Sequence, residues 1–242
     1  MRLVAAVAIT VALVALAVLA SRSAPSSAAS VPAASARPFV TADPNDRSRA
    51  DDAASYARLP AGDAADRRLV VVRGLALPIA GVALPTDPDL MPNAPRDYRA
   101  GWHEGIDFPA DPGTPVHAVG AGTVIRADRD FVDWDTASLD AALSEAARLG
   151  YTPAATLDRL RGRQVWIDHG NGVVSRYCHL ASVADLTVGG TVSAGTVVGT
   201  VGSSGYPEGG PHLHLEIRVG TSYLGDGLVG DALAAALTRA FD

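Results

Sequence analysis

From Leu69 onward the chain consists of short runs of apolar, often β-branched residues that are separated by Gly and Pro. Runs of this length between turn-forming residues predict a compact antiparallel β domain rather than a helical bundle. We therefore expect a mainly β fold. The runs predicted as strands are Leu69–Val72, Val116–Val119, Gly122–Ile125, Gln164–Asp168, Val173–Tyr177, Thr196–Val201 and His212–Arg218.

One turn predicts how two of these runs pair. Gly170-Asn171-Gly172 stands between them and supplies residues that tolerate positive φ, as a tight hairpin turn requires. The sequence therefore predicts a hairpin of Gln164–His169 with Val173–His179.

A stretch of strong helix formers interrupts the β pattern. Ser138–Leu149 predicts a helix, with Thr136 or Ser138 as a possible N-cap and Gly150 following its last residue. A second short helix is predicted from Pro153 to about Arg161, since proline favours the first turn. We interpret residues 128–163 as a helical insertion between two strands.

The two ends of the chain differ from this domain, which we place at residues 69–225. Leu3–Ala20 is apolar except for Thr10 and follows Arg2. Its length of about 18 residues suits a secretory signal or a short membrane span. Residues 1–20 are thus predicted to be a signal peptide or membrane anchor, and the rest of the chain to be extracytoplasmic.

Residues 21–68 are rich in Ala, Ser, Pro, Asp and Arg, which predicts a linker with a little helix around Asp51–Arg58. Residues 226–242 end the chain, and Asp231–Phe241 within them predicts an amphipathic helix.

Composition excludes several classes of function. The net charge of −6 argues against a nucleic-acid binder, which needs basic residues to neutralise phosphates. Cys178 is the only cysteine, so an internal disulfide and a thiolate-rich zinc site are both excluded. Val188–Gly199 resembles the turn of a biotinyl or lipoyl carrier, but the chain has no lysine to carry such a cofactor.

A possible metal-binding segment runs from His103 to Phe108. In an extended backbone His103, Gly105 and Asp107 point to one face, and Ile106 and Phe108 to the other. Two potential ligands thus share a face, and the glycine between them leaves room for an ion.

A second such segment alternates strictly. His212, His214 and Glu216 share one face, so two imidazoles can approach a common point. Imidazole and carboxylate groups suit zinc, and three protein ligands leave one position for water. Alternation alone does not decide which of the two histidines is the ligand. The core-facing residues are Leu213, Leu215 and Ile217.

These segments belong to an ordered series of motifs that resembles the lysostaphin/LytM-type (M23) zinc metallopeptidases. The resemblance covers roughly residues 75–219. The motifs are His103-x-Gly-x-Asp107, Val165-x-Ile-Asp-His-Gly-Asn-Gly172, Tyr177-x-His179-Leu180, Gly195-x-x-Val-Gly-x-Val-Gly202 and Gly210-Pro-His-Leu-His-Leu-Glu216.

The resemblance implies an antiparallel sheet with a groove, related to the barrel-sandwich hybrid, and one Zn²⁺ per chain. It implies His103, Asp107 and His214 as the zinc ligands, and His179 and His212 as the catalytic pair. The activity that the resemblance implies is hydrolysis of peptide stems or cross-links in peptidoglycan, with zinc polarising the scissile carbonyl.

Other residues receive weaker assignments. Glu216 is either an acceptor for a ligand imidazole or a structural glutamate, and Tyr206 either lines the groove or closes a loop. We expect His169 to stabilise the hairpin and His117 to be structural. Cys178 is expected to be a buried, inert thiol.

An alternative is a catalytically silent or masked M23-fold protein that binds the cell wall or regulates another hydrolase. The insertion keeps this alternative open, because it could wall or cover the groove. A non-catalytic zinc module is a further possibility. No obligate protein partner is evident. We expect removal of the insertion to leave zinc bound and to change substrate preference.

Overall fold

The computed structural model describes residues 66–242. The predicted export segment, residues 1–20, and the helix predicted around Asp51–Arg58 lie outside this range. Within it, no helix has the length and apolar character needed to cross a membrane.

The described residues form a mainly β fold, as predicted. The strands are β1 Pro95–Arg96, β2 Gly101–Trp102, β3 Ile106–Pro109, β4 Pro115–His117, β5 Gly122–Ala127, β6 Val165–Asp168, β7 Val173–Cys178, β8 Leu180–Val183, β9 Thr191–Val192, β10 Val197–Val201, β11 His212–Val219 and β12 Ser222–Tyr223. One sheet has seven of these strands in the order β12-β11-β7-β6-β5-β9, with β3 also paired to β11. A three-stranded sheet has the order β4-β10-β8, and β1 pairs with β2.

Three of the helices were predicted. They are α2 Thr136–Leu149, α3 Ala154–Leu160 and α4 Gly230–Phe241. Asp135 caps α2 by accepting a hydrogen bond from the Ser138 backbone, so neither predicted N-cap is the one used.

The strand predicted for Leu69–Val72 is wrong. A short helix, α1, spans Arg67–Val70 instead. The side chain of Asp66 accepts a hydrogen bond from the backbone N–H of Arg68 and so caps this helix. Leu69 is buried, so this one side chain holds the helix against the core, whereas a strand would have buried every second residue.

The predicted hairpin is confirmed as β6 and β7, with Asp168 paired to Val174 next to the turn. Gly170, Asn171 and Gly172 all have positive φ, at 87°, 53° and 76°. His169 lies beside this turn. One of its ring nitrogens is 2.8 Å from the Ala121 carbonyl and the other 2.8 Å from Ser175 Oγ, which fits a structural role.

Strand β11 organises the domain. It pairs with β7 on one side, and with β3 and β12 on the other. One face of β11 lies in the hydrophobic core, where Leu213 and Leu215 are fully buried beside Tyr177. The opposite face carries His212, His214, Glu216 and Arg218, so strand alternation places these polar side chains together.

The helical insertion contacts the end of β7. Arg161 and Arg163 follow α3, and their carbonyls accept hydrogen bonds from the backbone N–H groups of His179 and Leu180, at 2.8 and 3.1 Å. A side chain at Gly162 would clash with the backbone of Ser204. The insertion is therefore fitted closely against the segment that carries His179.

Tyr177→Phe tests how the core holds β7. The Tyr177 hydroxyl accepts a hydrogen bond of 2.8 Å from the buried Val119 N–H. Loss of the hydroxyl leaves the Val119 N–H without its acceptor, so we expect the free energy of unfolding to fall by about 1–3 kcal/mol. The measurement is urea unfolding. Tyr98→Phe is the control, since Tyr98 is 39 % exposed and its change should be near neutral. Equal stability of the two variants would contradict this account.

Candidate metal centre

Three side-chain atoms from two segments meet at one point. His103 Nε2, Asp107 Oδ1 and His214 Nδ1 lie 2.9 Å from one another. All three residues are buried. Cross-strand pairing of Asp107 with His214 sets two of these positions. Backbone hydrogen bonds of His103 with Asn93 and Ala94, at 2.7 and 2.8 Å, set the third.

Gly105 lies where no side chain fits. A side chain there would clash with the carbonyl oxygen of Leu215 and would lie 2.9 Å from the His214 ring. The glycine is therefore required because the backbone approaches β11 and the His214 ring closely.

The hydrogen bonds of the two imidazoles fix their tautomers. His103 Nδ1 is 2.7 Å from the carbonyl oxygen of Met91, which can only accept, so the proton lies on Nδ1. His214 Nε2 is 3.0 Å from Glu216 Oε1, so its proton lies on Nε2. Each neutral ring then presents a lone pair to the other and to Asp107. Three acceptors facing one another require a cation or a proton between them.

This donor set fits zinc. Two imidazole nitrogens and one carboxylate oxygen are the ligands of many catalytic zinc sites. Tetrahedral zinc with bonds of about 2.0–2.1 Å separates its ligand atoms by roughly 3.3 Å. The separations of 2.9 Å would therefore have to widen by a few tenths of an ångström. His103 and His214 each also bond an acceptor on the far side of the ring, as zinc-binding imidazoles usually do.

The pKa values of His103, His214 and Asp107 are all shifted by burial and by the contacts among these three groups. Burial lowers the pKa of His103 to about 4. Burial also acts to lower the pKa of His214, but hydrogen bonds with Asp107 and Glu216 outweigh it and raise that pKa. Burial acts to raise the pKa of Asp107, and the two histidines hold it well below its usual range.

His179 and His212 form a second pair beside this cluster. Their ring centroids are 4.7 Å apart, and that of His179 is 5.8 Å from His214. The Nδ1 atoms are each 2.9 Å from a carbonyl oxygen, of Ser204 for His179 and of Gly210 for His212. Each neutral ring therefore keeps a lone pair on Nε2. Burial, followed by the neighbouring histidines, lowers the pKa of His179 to about 3.

Strand alternation does not explain the position of His179. By parity it would follow Ser175 and Tyr177, which lie on the core face. Its φ of 60° is in the left-handed region, and this turns the side chain to the same side as His212. The cross-strand partner of His214 is Cys178, which lies on the site face of the sheet.

Arg96, which the sequence analysis did not single out, holds the other oxygen of Asp107. Its Nη2 donates to Asp107 Oδ2 at 3.0 Å and to the carbonyl of Asp89 at 2.9 Å. The guanidinium therefore fixes the carboxylate rotation that aims Oδ1 at the two imidazoles. No pattern in the sequence marks this residue, because it lies in a different segment from the ligands.

An ion cluster lies on the site face, directly behind His214. Glu216 Oε1 accepts from Arg161 Nε at 2.7 Å, and Glu216 Oε2 accepts from Arg218 Nη1 at 3.0 Å. Both arginines also bind Glu104. The sequence analysis missed Glu104, Arg161 and Arg218. The alternation of β11 would have indicated Arg218, which continues the series of His212, His214 and Glu216.

A pocket of about 220 Å³ opens over the site. Tyr206 lines it and stacks on Tyr98 with ring centroids 4.3 Å apart. Leu157 and Leu160 of α3 also line it, so the insertion forms one wall.

The model of the family described as "Peptidase family M23" matches residues 101–225. The chain belongs to this family. The matched range contains every residue of the two histidine clusters, and the fold is the antiparallel one that the motifs implied.

Curated relatives of this M23 chain are named as peptidases, one of them as a peptidoglycan peptidase. It is 34% identical over 117 residues to DD-carboxypeptidase/endopeptidase Mpg of Neisseria meningitidis, covering 48% of this chain and 20% of the relative. It is 31% identical over 125 residues to peptidoglycan DD-endopeptidase ShyA of Vibrio cholerae, covering 52% and 22%. The chain thus spans about a fifth of the length of these relatives.

A solved structure, a zinc-containing peptidase from Vibrio cholerae, aligns with a TM-score of 0.44 at 22% identity. The alignment covers 66% of this chain and 41% of that one.

The thiol of Cys178 allows a test of how tightly β7 packs on the site face of the sheet. Cys178 is fully buried, and burial, followed by the charge of Glu216, raises the pKa of its thiol well above its usual value. We expect no labelling of the folded protein by a disulfide reagent over minutes, because the reactive thiolate is neither formed nor accessible. Unfolding in urea should release one reactive thiol per chain. Rapid labelling without urea would contradict the packing of β7 described above.

Proposed function

We propose that this chain is an exported, zinc-dependent endopeptidase that hydrolyses peptide bonds in the stems or cross-links of bacterial peptidoglycan. The observation that carries the proposal is the convergence of three lone pairs at His103, Asp107 and His214, with a second histidine pair beside them. Family membership and the peptidases among the curated relatives support the choice of reaction and substrate.

In this proposal His103, Asp107 and His214 hold one Zn²⁺. When bound, zinc would polarise the scissile carbonyl and lower the pKa of a water molecule. The fit of the site to zinc rests on the tautomers that Met91 and Glu216 fix, since both ligand nitrogens then carry lone pairs.

His179 and His212 act as proton carriers. Each donates Nδ1–H to a carbonyl, so each has an Nε2 lone pair that can accept a proton from the attacking water. Once protonated, the same atom is a donor that can stabilise the oxyanion and then protonate the leaving amine. Burial lowers the pKa of His179 to about 3, so this ring is neutral at neutral pH.

The remaining predictions about the chain are part of the proposal. Residues 1–20 export the protein as a signal peptide or anchor, and residues 21–68 connect it to the peptidase domain at 69–225. This arrangement places the site outside the cytoplasmic membrane, where peptidoglycan lies. The composition of the first 20 residues supports it.

Turnover of purified peptidoglycan tests the roles of the second pair. We expect the wild-type protein to release soluble peptide fragments, and His179→Ala and His212→Ala to lose at least about 100-fold in rate, because positioned general bases contribute that much. Both variants should retain zinc, since neither residue is a proposed ligand. Fragment release is measured by chromatography and zinc by elemental analysis.

His169→Ala is the matched control. This histidine bonds Ala121 and Ser175 near the hairpin turn and lies outside the two clusters, so its loss should lower stability and leave turnover nearly unchanged. Full turnover by His179→Ala would refute the assignment. A wild-type protein that binds zinc but releases nothing from walls of several chemistries would favour the silent or masked alternative.

A further inference from the structure

The helical insertion reaches the metal centre through one side chain. Arg161 immediately follows α3, and its Nε donates to Glu216 Oε1 at 2.7 Å. The same oxygen is 3.0 Å from His214 Nε2. A single carboxylate oxygen therefore accepts from the insertion and from the proposed ligand.

Arg161 also joins the two segments that supply the ligands. Its Nη2 binds Glu104, the neighbour of His103, while its Nε binds Glu216, two residues after His214. Arg218 Nη1 bridges the same two carboxylates, at 2.9 and 3.0 Å. Two glutamates and two arginines thus form a closed ring. The side chains of all four are less than a tenth exposed.

The direction of the Glu216 carboxylate depends on its buried partners. Glu216 is fully buried. Arg161 Nε lies 2.7 Å from Oε1, whereas Arg218 Nη1 and Arg176 Nη1 lie 3.0 and 3.6 Å from Oε2. Without Arg161 the remaining arginine contacts are both to Oε2, so the carboxylate would turn and Oε1 would lose its alignment with His214 Nε2. That rotation removes the acceptor that fixes the tautomer of His214.

We infer that Arg161 is a positioning residue for the metal centre, and that the insertion supports zinc binding as well as walling the groove. The inference rests on the proposed function, because it concerns the same zinc site. Leu157 and Leu160 line the pocket from α3, which ends one residue before Arg161. One short helix therefore links the groove wall to a ligand imidazole. This replaces the expectation that the insertion can be removed without loss of zinc.

Two ion pairs attach α3 and the residue after it to the rest of the domain, and a comparison of the two tests the inference. Asp158 also lies on α3, where it makes a bidentate ion pair of 2.6 and 2.9 Å with Arg126 of β5, away from the histidines. Asp158→Asn thus weakens the attachment of the same helix without touching Glu216. Arg161→Met removes the contact with Glu216 and keeps much of the side-chain length.

The measurements use the full chain loaded with Zn²⁺ or Co²⁺. We expect Arg161→Met to weaken zinc binding by about 10- to 100-fold in chelator competition, the range typical for partners of a ligand imidazole. The visible absorption of the Co²⁺ protein should shift, because the coordination of His214 changes. Asp158→Asn should lower the melting temperature, bind zinc within about twofold of wild type, and leave the Co²⁺ spectrum unchanged.

Arg161→Met removes one of the two arginines that bind Glu104, so a second variant guards against misfolding. Glu104→Gln with Arg161→Met removes one charge of each sign and keeps Glu216 paired with Arg218. It should fold and still show weakened zinc binding and the altered spectrum.

Wild-type affinity and an unchanged spectrum in both Arg161 variants would overturn the inference. It also fails if Asp158→Asn weakens zinc binding equally, since the insertion would then act only through general stability. A wild-type protein that binds no zinc would overturn the proposed function itself, and the inference with it.

Discussion

Three acceptor atoms that face one another in a buried position are the constraint on which the site depends. His103 Nε2, Asp107 Oδ1 and His214 Nδ1 are each 2.9 Å from the other two, and outward hydrogen bonds keep a lone pair on each ring. Such an arrangement is repulsive unless a cation or a proton occupies its centre. The surrounding structure is built to hold these atoms in place, with Arg96 on the outer oxygen of Asp107 and Glu216 behind His214.

Strand β11 explains why so much could be predicted from the sequence. Its alternation assigns His214 and Glu216 to one face and Leu213 and Leu215 to the other, and the structure has the same assignment. The hairpin turn was equally predictable, because Gly170-Asn171-Gly172 tolerates the positive φ angles that a tight turn requires. Local patterns succeed here because pleat and turn geometry depend on neighbouring residues only.

The predictions failed where a helix cap, a single backbone angle or a long-range contact outweighs the periodic pattern. Val70 to Val72 suit a strand, but the Asp66 cap and the single buried anchor Leu69 favour a helix turn. The side of the sheet that His179 faces depends on one left-handed backbone angle, which periodicity cannot reveal. Arg161 is far from Glu216 in sequence, and only the path of the insertion brings them together. The choice of His214 over His212 as ligand came from family resemblance.

The most direct test of the central claim is metal coordination in the wild-type protein. Zinc stoichiometry should be measured after dialysis, together with X-ray absorption at the zinc edge. The account predicts one zinc per chain, bound by two imidazole nitrogens and oxygen atoms at about 2.0–2.1 Å. It also predicts that one imidazole is lost from the spectrum in His103→Ala but not in His212→Ala. A metal-free wild-type protein, or zinc whose imidazole shell depends on His212, would contradict it.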